Sequence, residues 1–195
     1  MVNIDLSNFD AQNVVNLDCM FYQCNSLSSI NLTNFNAQNV VSMNNFLSEC
    51  VSLKIINLSN FNAPELTNMS KMFYHFNSLI SINLLNLNIP KVTSMEYMFY
   101  ECKFLKMVNF LNINAPKINN MAYMFYNCNS LTSMDISFFK TQNVTNMEFL
   151  FSGCTSLNSI NLMNFNTKNV TNMNNMFYGC QSLKYINLSN FDTKK

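Results

Sequence analysis

The sequence predicts an α/β solenoid: a right-handed coil in which every 26-residue repeat contributes one short parallel strand and one short helical turn. Three observations predict it. The first is an unbroken period. Breaks before Ile4, Ile30, Ile56, Ile82, Val108, Met134 and Ile160 give seven units of equal length, and a partial unit starts at Ile186. A repeat of about 20 to 50 residues is the mark of a solenoid. The second is a skewed composition. Asparagine is the commonest residue while the chain holds only 2 Gly, 3 Pro and no Trp, against ordinary usage in which Gly alone is about 7%. The third is that apolar letters are fixed by their place in the unit.

Counting from the first residue of each unit, positions 1, 3, 6, 11, 14, 17, 18, 21 and 24 are apolar almost throughout. Position 24 reads Leu27, Leu53, Leu79, Leu105, Leu131, Leu157 and Leu183. One unit cannot bury such a face alone, but stacked units place each residue on its own counterpart and build a continuous core. The elements then follow in order around one coil. Across Ile160 and Leu162, in Leu157-x-x-Ile160-x-Leu162-x-x-Phe165, apolar residues alternate as in a strand. Asn-rich bends come next, because Asn tolerates left-handed backbone and hydrogen-bonds nearby main chain. The run Met173-x-x-Met176-Phe177-x-x-Cys180 has the three-and-four spacing of a short helical turn.

With 195 residues, 49% hydrophobic and 11% charged, the chain has enough apolar material for one repeat domain over 1–195. The net charge is +1 and its basic residues are scattered, which argues against nucleic acid as a partner. No apolar run approaches the ~20 residues that span a bilayer, so no membrane insertion by this segment is expected. MVNIDLSNFD has neither a basic flank nor an apolar signal-peptide core, and neither end offers the polar cap that a soluble solenoid needs. The chain is therefore read as a piece of a longer protein.

The segments NLSNFDT (187–193), NVTNM (169–173) and MFYGCQSL (176–183) resemble the BspA-like leucine-rich repeat, in its 26-residue surface-protein form. The resemblance spans the whole chain. It implies a leucine-rich-repeat-like coil, and a secreted or surface-anchored protein of low-GC bacteria, mycoplasma-type lipoproteins included, or of some protists. It also implies an extracellular or cell-surface location and a role in adhesion.

Little in the chain points to chemistry. Cys24, Cys50, Cys102, Cys128, Cys154 and Cys180 share position 21, where the third unit has Phe76; Cys19 stands apart. A phenyl ring in that slot favours buried free thiols acting as small hydrophobes. Disulfides between coils and a soft Cys/Met metal ladder are the alternatives, although metal-type CxxC spacing is missing. Methionines such as Met20, Met43 and Met72 fall on inward positions as core filler. His75 occupies an outward turn position that varies freely from unit to unit. No Ser/His/Asp set, phosphate loop or paired carboxylates can be assembled, so no enzyme, cofactor or metal centre is expected.

With the core fixed by stacking, function falls to outward letters that leave the consensus. On the strand face, positions 26, 2 and 4 usually read Ser-Asn-Ser, as in Ser29, Asn31 and Thr33. The middle units break the pattern with Ile55, Leu85, Met107 and Leu111 there and Ile80 and Phe104 on the preceding turn; Met163 and Tyr185 extend it weakly. A large exposed apolar patch marks an interaction surface, whereas drifted repeats would leave scattered, harmless side chains. The first reading is a non-catalytic binding module whose sheet face meets a protein or glycan partner at the cell surface. The second is a structural scaffold, or a solenoid that self-associates end to end. A Thr/Asn lattice for ice is disfavoured because no outward position keeps Thr.

Overall fold

The computed structural model describes residues 2–32 and 35–192; Thr33 lies outside them. Within that span the strands that pair do so in parallel and 26 residues apart, save for a register shift between Val2 and Asn3, as Asn31 Nδ2 donating to Asp5 Oδ1 illustrates. The strands are β1 (Val2–Asp5), β2 (Leu27–Asn31), β3 (Ile55–Asn57), β4 (Ser81–Asn83), β5 (Met107–Asn109), β6 (Ser133–Asp135) and β7 (Ser159–Asn161). They pair β1-β2, β3-β4-β5 and β6-β7. The architecture is a parallel β-solenoid whose longest sheet, β3-β4-β5, begins at Ile55 and ends at Asn109.

The expected helical turn is not there: among the described residues no helix forms. In the second coil, Phe46 N–H donates to Met43 O, Ser48 to Asn45 O and Cys50 to Leu47 O, a run of overlapping tight turns. The intervening N–H groups of Met43, Asn45, Leu47 and Glu49 donate instead to Asn68, Ser70, Met72 and Tyr74 of the next coil. A helix would spend every one of these donors within its own segment, whereas the stacked neighbour offers carbonyls on each rung. Left-handed backbone at Asn45 (φ 55°) and Glu49 (φ 60°) breaks helical geometry twice more, each as the third residue of a turn that requires positive φ. The turns keep roughly the same three-and-four rhythm of inward side chains, which explains the helix-like spacing.

Asparagine sets the corners. At position 2, Asn57, Asn83, Asn109, Asp135 and Asn161 each accept the N–H two residues on through the side-chain oxygen. At position 7, Asp10, Asn36 and Asn166 do the same. The three middle units carry Pro64, Pro90 and Pro116 where that N–H would be, and proline has none to give. Their amides turn along the stack instead, Asn88 Nδ2 donating to Asn62 Oδ1 at 2.5 Å and Asn114 Nδ2 to Asn88 Oδ1 at 2.6 Å. A parallel bridge ladder joins the same three residues. A longer ladder, which the sequence reading missed, runs through position 13 from Asn16 to Asn172 without a break.

The core follows the apolar columns. Phe73, Phe99, Phe125, Phe151 and Phe177 stack with ring centroids 5.3 to 5.6 Å apart, close to the ~4.8 Å spacing of paired strands. A tenth buried position, 8, escaped the pattern because, Ile89 apart, it holds small residues: Ala11, Ala37, Ala63, Ala115, Thr141 and Thr167 are all buried, as is Ile89. The two threonines suit it because each hydroxyl donates to a carbonyl of the next coil, Asn166 O and Asp192 O. Met20 is a correction, since it is 40% exposed rather than inward.

All seven cysteines are free. Those at position 21 do more than fill space: the thiols of Cys50, Cys102, Cys128, Cys154 and Cys180 donate to the main-chain oxygens of Phe21, Phe73, Phe99, Phe125 and Phe151, one coil back. Burial pushes Cys50 and Cys102 up to about 12 and raises Cys128 and Cys154 as well. They are neutral donors at physiological pH, whereas nucleophiles and metal ligands need the thiolate.

Candidate interaction surface

Inward positions are saturated by stacking, so the side chains free to meet a partner stand on the outside of the strands and turns. On β3-β4-β5 the register pairs Ile55 with Ser81 and Ser81 with Met107. Ile55 is 69% exposed and Met107 60% exposed, and the serine between them is small. The result is a saddle, two apolar ridges about two strand spacings apart, ~10 Å, over a shallow depression of about 510 Å³ floored by the strand backbones. Asn57, Asn83 and Asn109 line one side, with Asn109 Nδ2 donating to Asn83 Oδ1.

The structure brings some of the six sequence-selected residues together and leaves others at the margin. Ile80 is exposed and sits one residue before Ser81, in backbone contact with both neighbouring coils. Leu111 is exposed and Leu85 half-buried; they are counterparts in consecutive coils at the corner beyond the asparagines. Phe104 is exposed on the turn before β5, three residues from Met107. Met163 and Tyr185 are exposed but belong to coils beyond this sheet.

Two neighbours were overlooked. Lys54 and Lys106 hold the same unit position as Ile80, on either side of it: Ile80 N–H donates to Lys54 O and Lys106 N–H to Ile80 O. Both are exposed, and neither joins an ion pair among the described residues. The saddle is therefore an apolar surface with an edge of open positive charge. The repeat itself held the signal, since position 25 reads Lys54, Ile80, Lys106 in successive units.

The turn side also differs from expectation. His75 is not a free surface residue: it sits in left-handed backbone (φ 56°), stacks on Tyr74 at 4.4 Å and lies 3.5 Å from the Glu101 carboxylate. Position 20 varies in sequence yet is left-handed in every coil where it is described, from Gln23 to Gly179. Outside the core, Tyr74, Tyr100 and Tyr126 form one column of stacked rings, and Tyr97, Tyr123 and Phe149 a second. Among the described residues no three His, Cys, Asp or Glu side chains converge as a metal would need.

Compared with known proteins, the chain matches a family model described as "Mycoplasma protein of unknown function, DUF285" over residues 1–112 and 104–195. No curated protein matches. Among solved structures it is similar to a leucine-rich repeat protein from Eubacterium ventriosum, at 18% identity and TM-score 0.48, covering 89% of this chain and 53% of that one. A leucine-rich repeat protein from Bacteroides ovatus is 24% identical with TM-score 0.34, over 86% of this chain and 56% of that one. The T. pallidum leucine-rich repeat protein is 19% identical with TM-score 0.38, over 87% and 72%. The chain thus spans about half the length of the first two. The two family matches together span the same residues as the 26-residue repeat read in the sequence.

Proposed function

Starting from the chain's membership of the DUF285 family of Mycoplasma proteins of unknown function, we propose that it is a non-catalytic interaction module, displayed outside the cell, whose strand face binds a partner. The observation that carries this reading is the saddle on β3-β4-β5. Ile55 and Met107 project from paired strands with most of their surface in water, although the counterparts Ser29, Ser133 and Ser159 show that serine satisfies the same position. Leaving two large apolar side chains in water forgoes about 1.5–3 kcal/mol each that burial would return. A partner that covers them recovers that energy. Of the two partner classes considered, the edge of Lys54 and Lys106 favours a protein surface carrying apolar and acidic groups over a neutral glycan. The extracellular location rests on the likeness to surface-protein repeats.

Replacing Ile55, Met107 and Leu111 together by serine tests the reading. The triple variant is expected to melt within about 3–6 °C of the parent, since exposed substitutions stay within roughly 0.5 kcal/mol each. It should lose at least tenfold in affinity for proteins that the parent retains from a host-cell surface extract. Equal retention by both would remove the saddle from the account.

A further inference from the structure

The two ring columns on the turn side answer to nothing in the strand-face reading. Tyr74–Tyr100 and Tyr100–Tyr126 stack at 5.0 and 4.8 Å, and Tyr97–Tyr123 and Tyr123–Phe149 at 4.8 and 4.9 Å. The columns touch each other, Tyr97 to Tyr100 at 5.4 Å and Tyr123 to Tyr126 at 5.7 Å. All six rings are half-buried rather than buried. The second column stands at a costly place. Its backbone is left-handed, with φ of 57° at Tyr97, 58° at Tyr123 and 51° at Phe149, where bulky residues are strained and asparagine is not. The second and seventh coils place Asn45 and Asn175 there. Three consecutive coils give up that relaxed residue for an aromatic one, and such strain concentrates at functional sites.

We propose that this double aromatic column is a second interaction surface, and that it receives a lysine- or arginine-bearing segment of a protein partner. Inside each column the next ring covers the ring faces, so an incoming group meets open faces only at the column ends. Among the described residues, none accepts a hydrogen bond from the hydroxyls of Tyr74, Tyr97, Tyr100, Tyr123 or Tyr126. Glu96 and Glu148 flank the second column with Ala122 between them, and both carboxylates raise Tyr97 and Tyr123 after burial has done so first. Glu101 already faces His75 and Lys103. Glu96 has no ion-pair partner among the described residues, and Glu148 meets only the Asn172 amide. The surface is therefore rich in acceptors and open negative charge. Lys71 shows the contact in miniature: its ammonium lies 5.5 Å from the Tyr97 ring centre and 6.0 Å from that of Tyr74, within cation–π range.

The test uses the chain's own fluorescence. It has 8 Tyr and no Trp, and five of the tyrosines belong to the columns, so emission reports on this surface. Hexa-arginine is expected to change the emission saturably, with an affinity that falls as salt rises. Y97N/Y123N/F149N, which installs the residue found in the second and seventh coils, should weaken binding at least tenfold. E96Q/E148Q should weaken it comparably while leaving the backbone untouched, so the outcome does not hinge on the folding of the first variant. I55S/M107S should bind hexa-arginine as the parent does, whatever becomes of the strand-face reading. The proposal is overturned if the parent gives no saturable response up to millimolar peptide, if both column variants bind like the parent, or if neutral cellohexaose binds where hexa-arginine does not.

Discussion

Phe99→Ala is expected to lower the unfolding free energy by about 3–5 kcal/mol, the usual loss for a fully buried phenyl ring. Phe99 is 0% exposed and stacks on Phe73 and Phe125 at 5.3 Å each, with the Phe110 edge at 6.4 Å. No larger side chain lies beside it to close the gap, because every neighbour in the column is already held by its own counterpart. For a chain of this size the melting temperature should fall by roughly 6–20 °C. A solenoid transmits stability only between adjacent coils, so the loss also uncouples the third coil from the fifth, and the unfolding transition should broaden. Phe99→Leu, which copies Leu47 at the same position in the second coil, should lose much less. Phe104→Ala, at an exposed ring, should change stability by no more than about 0.5 kcal/mol. Calorimetry of the three variants checks the ranking.

The second large effect is alkaline unfolding. Burial raises the thiols of Cys102, Cys128 and Cys154 from 9.0, Cys102 to about 12. In the unfolded chain they ionise near 9, whereas in the folded chain they keep the proton donated to the Phe73, Phe99 and Phe125 carbonyls. Above pH 9 the unfolded state therefore binds fewer protons than the folded one, and stability falls as pH rises, until the folded thiols themselves ionise. The contribution is fully present below pH 9. Each thiol takes away about 1 kcal/mol between pH 9 and 10 and about 1.4 kcal/mol per unit beyond. The three together remove about 3 kcal/mol over the first unit. Tyrosine ionisation acts in the same direction, since burial holds Tyr100 up at about 12. Urea midpoints measured from pH 7 to 11 should drop steeply above 9, and C102A/C128A should flatten that slope while being less stable at pH 7.

What the sequence made legible was whatever stacking repeats. The 26-residue period, the strand across positions 1 to 3, and the buried columns at positions 18, 21 and 24 follow from apolar letters that cannot change without exposing their neighbours. The helical turn was misread because periodicity records where side chains point and says nothing of where N–H groups go. Met43, Asn45, Leu47 and Glu49 send theirs to the next coil, and the left-handed residues that allow this are as varied as Tyr97, Lys71 and His75. Position 8 was missed because alanine and threonine carry little apolar signal, although Ala37 and Thr141 are as buried as the phenylalanines.

The candidate surfaces divide the same way. Ile55, Met107 and Leu111 could be picked out because they interrupt a polar consensus. Lys54 and Lys106 could not, because a single lysine on a surface is unremarkable until the fold sets it beside Ile80. The tyrosines were hidden by their own regularity: one per coil reads as repeat filler, and only in-register stacking turns Tyr74, Tyr100 and Tyr126 into a column.

In-register stacking of 26-residue coils underlies both surfaces, and it can be measured directly. Ser133 and Ser159 are paired on β6 and β7 and both are exposed, so nitroxides attached to cysteines placed there, with Cys19 changed to Ser, should sit about one strand spacing apart, ~5 Å at the backbone. The account predicts strong dipolar broadening for the 133/159 pair and an unbroadened spectrum for each single label. Sharp, additive spectra from the double-labelled chain, reporting labels more than about 20 Å apart, would contradict the stack and both surfaces built upon it.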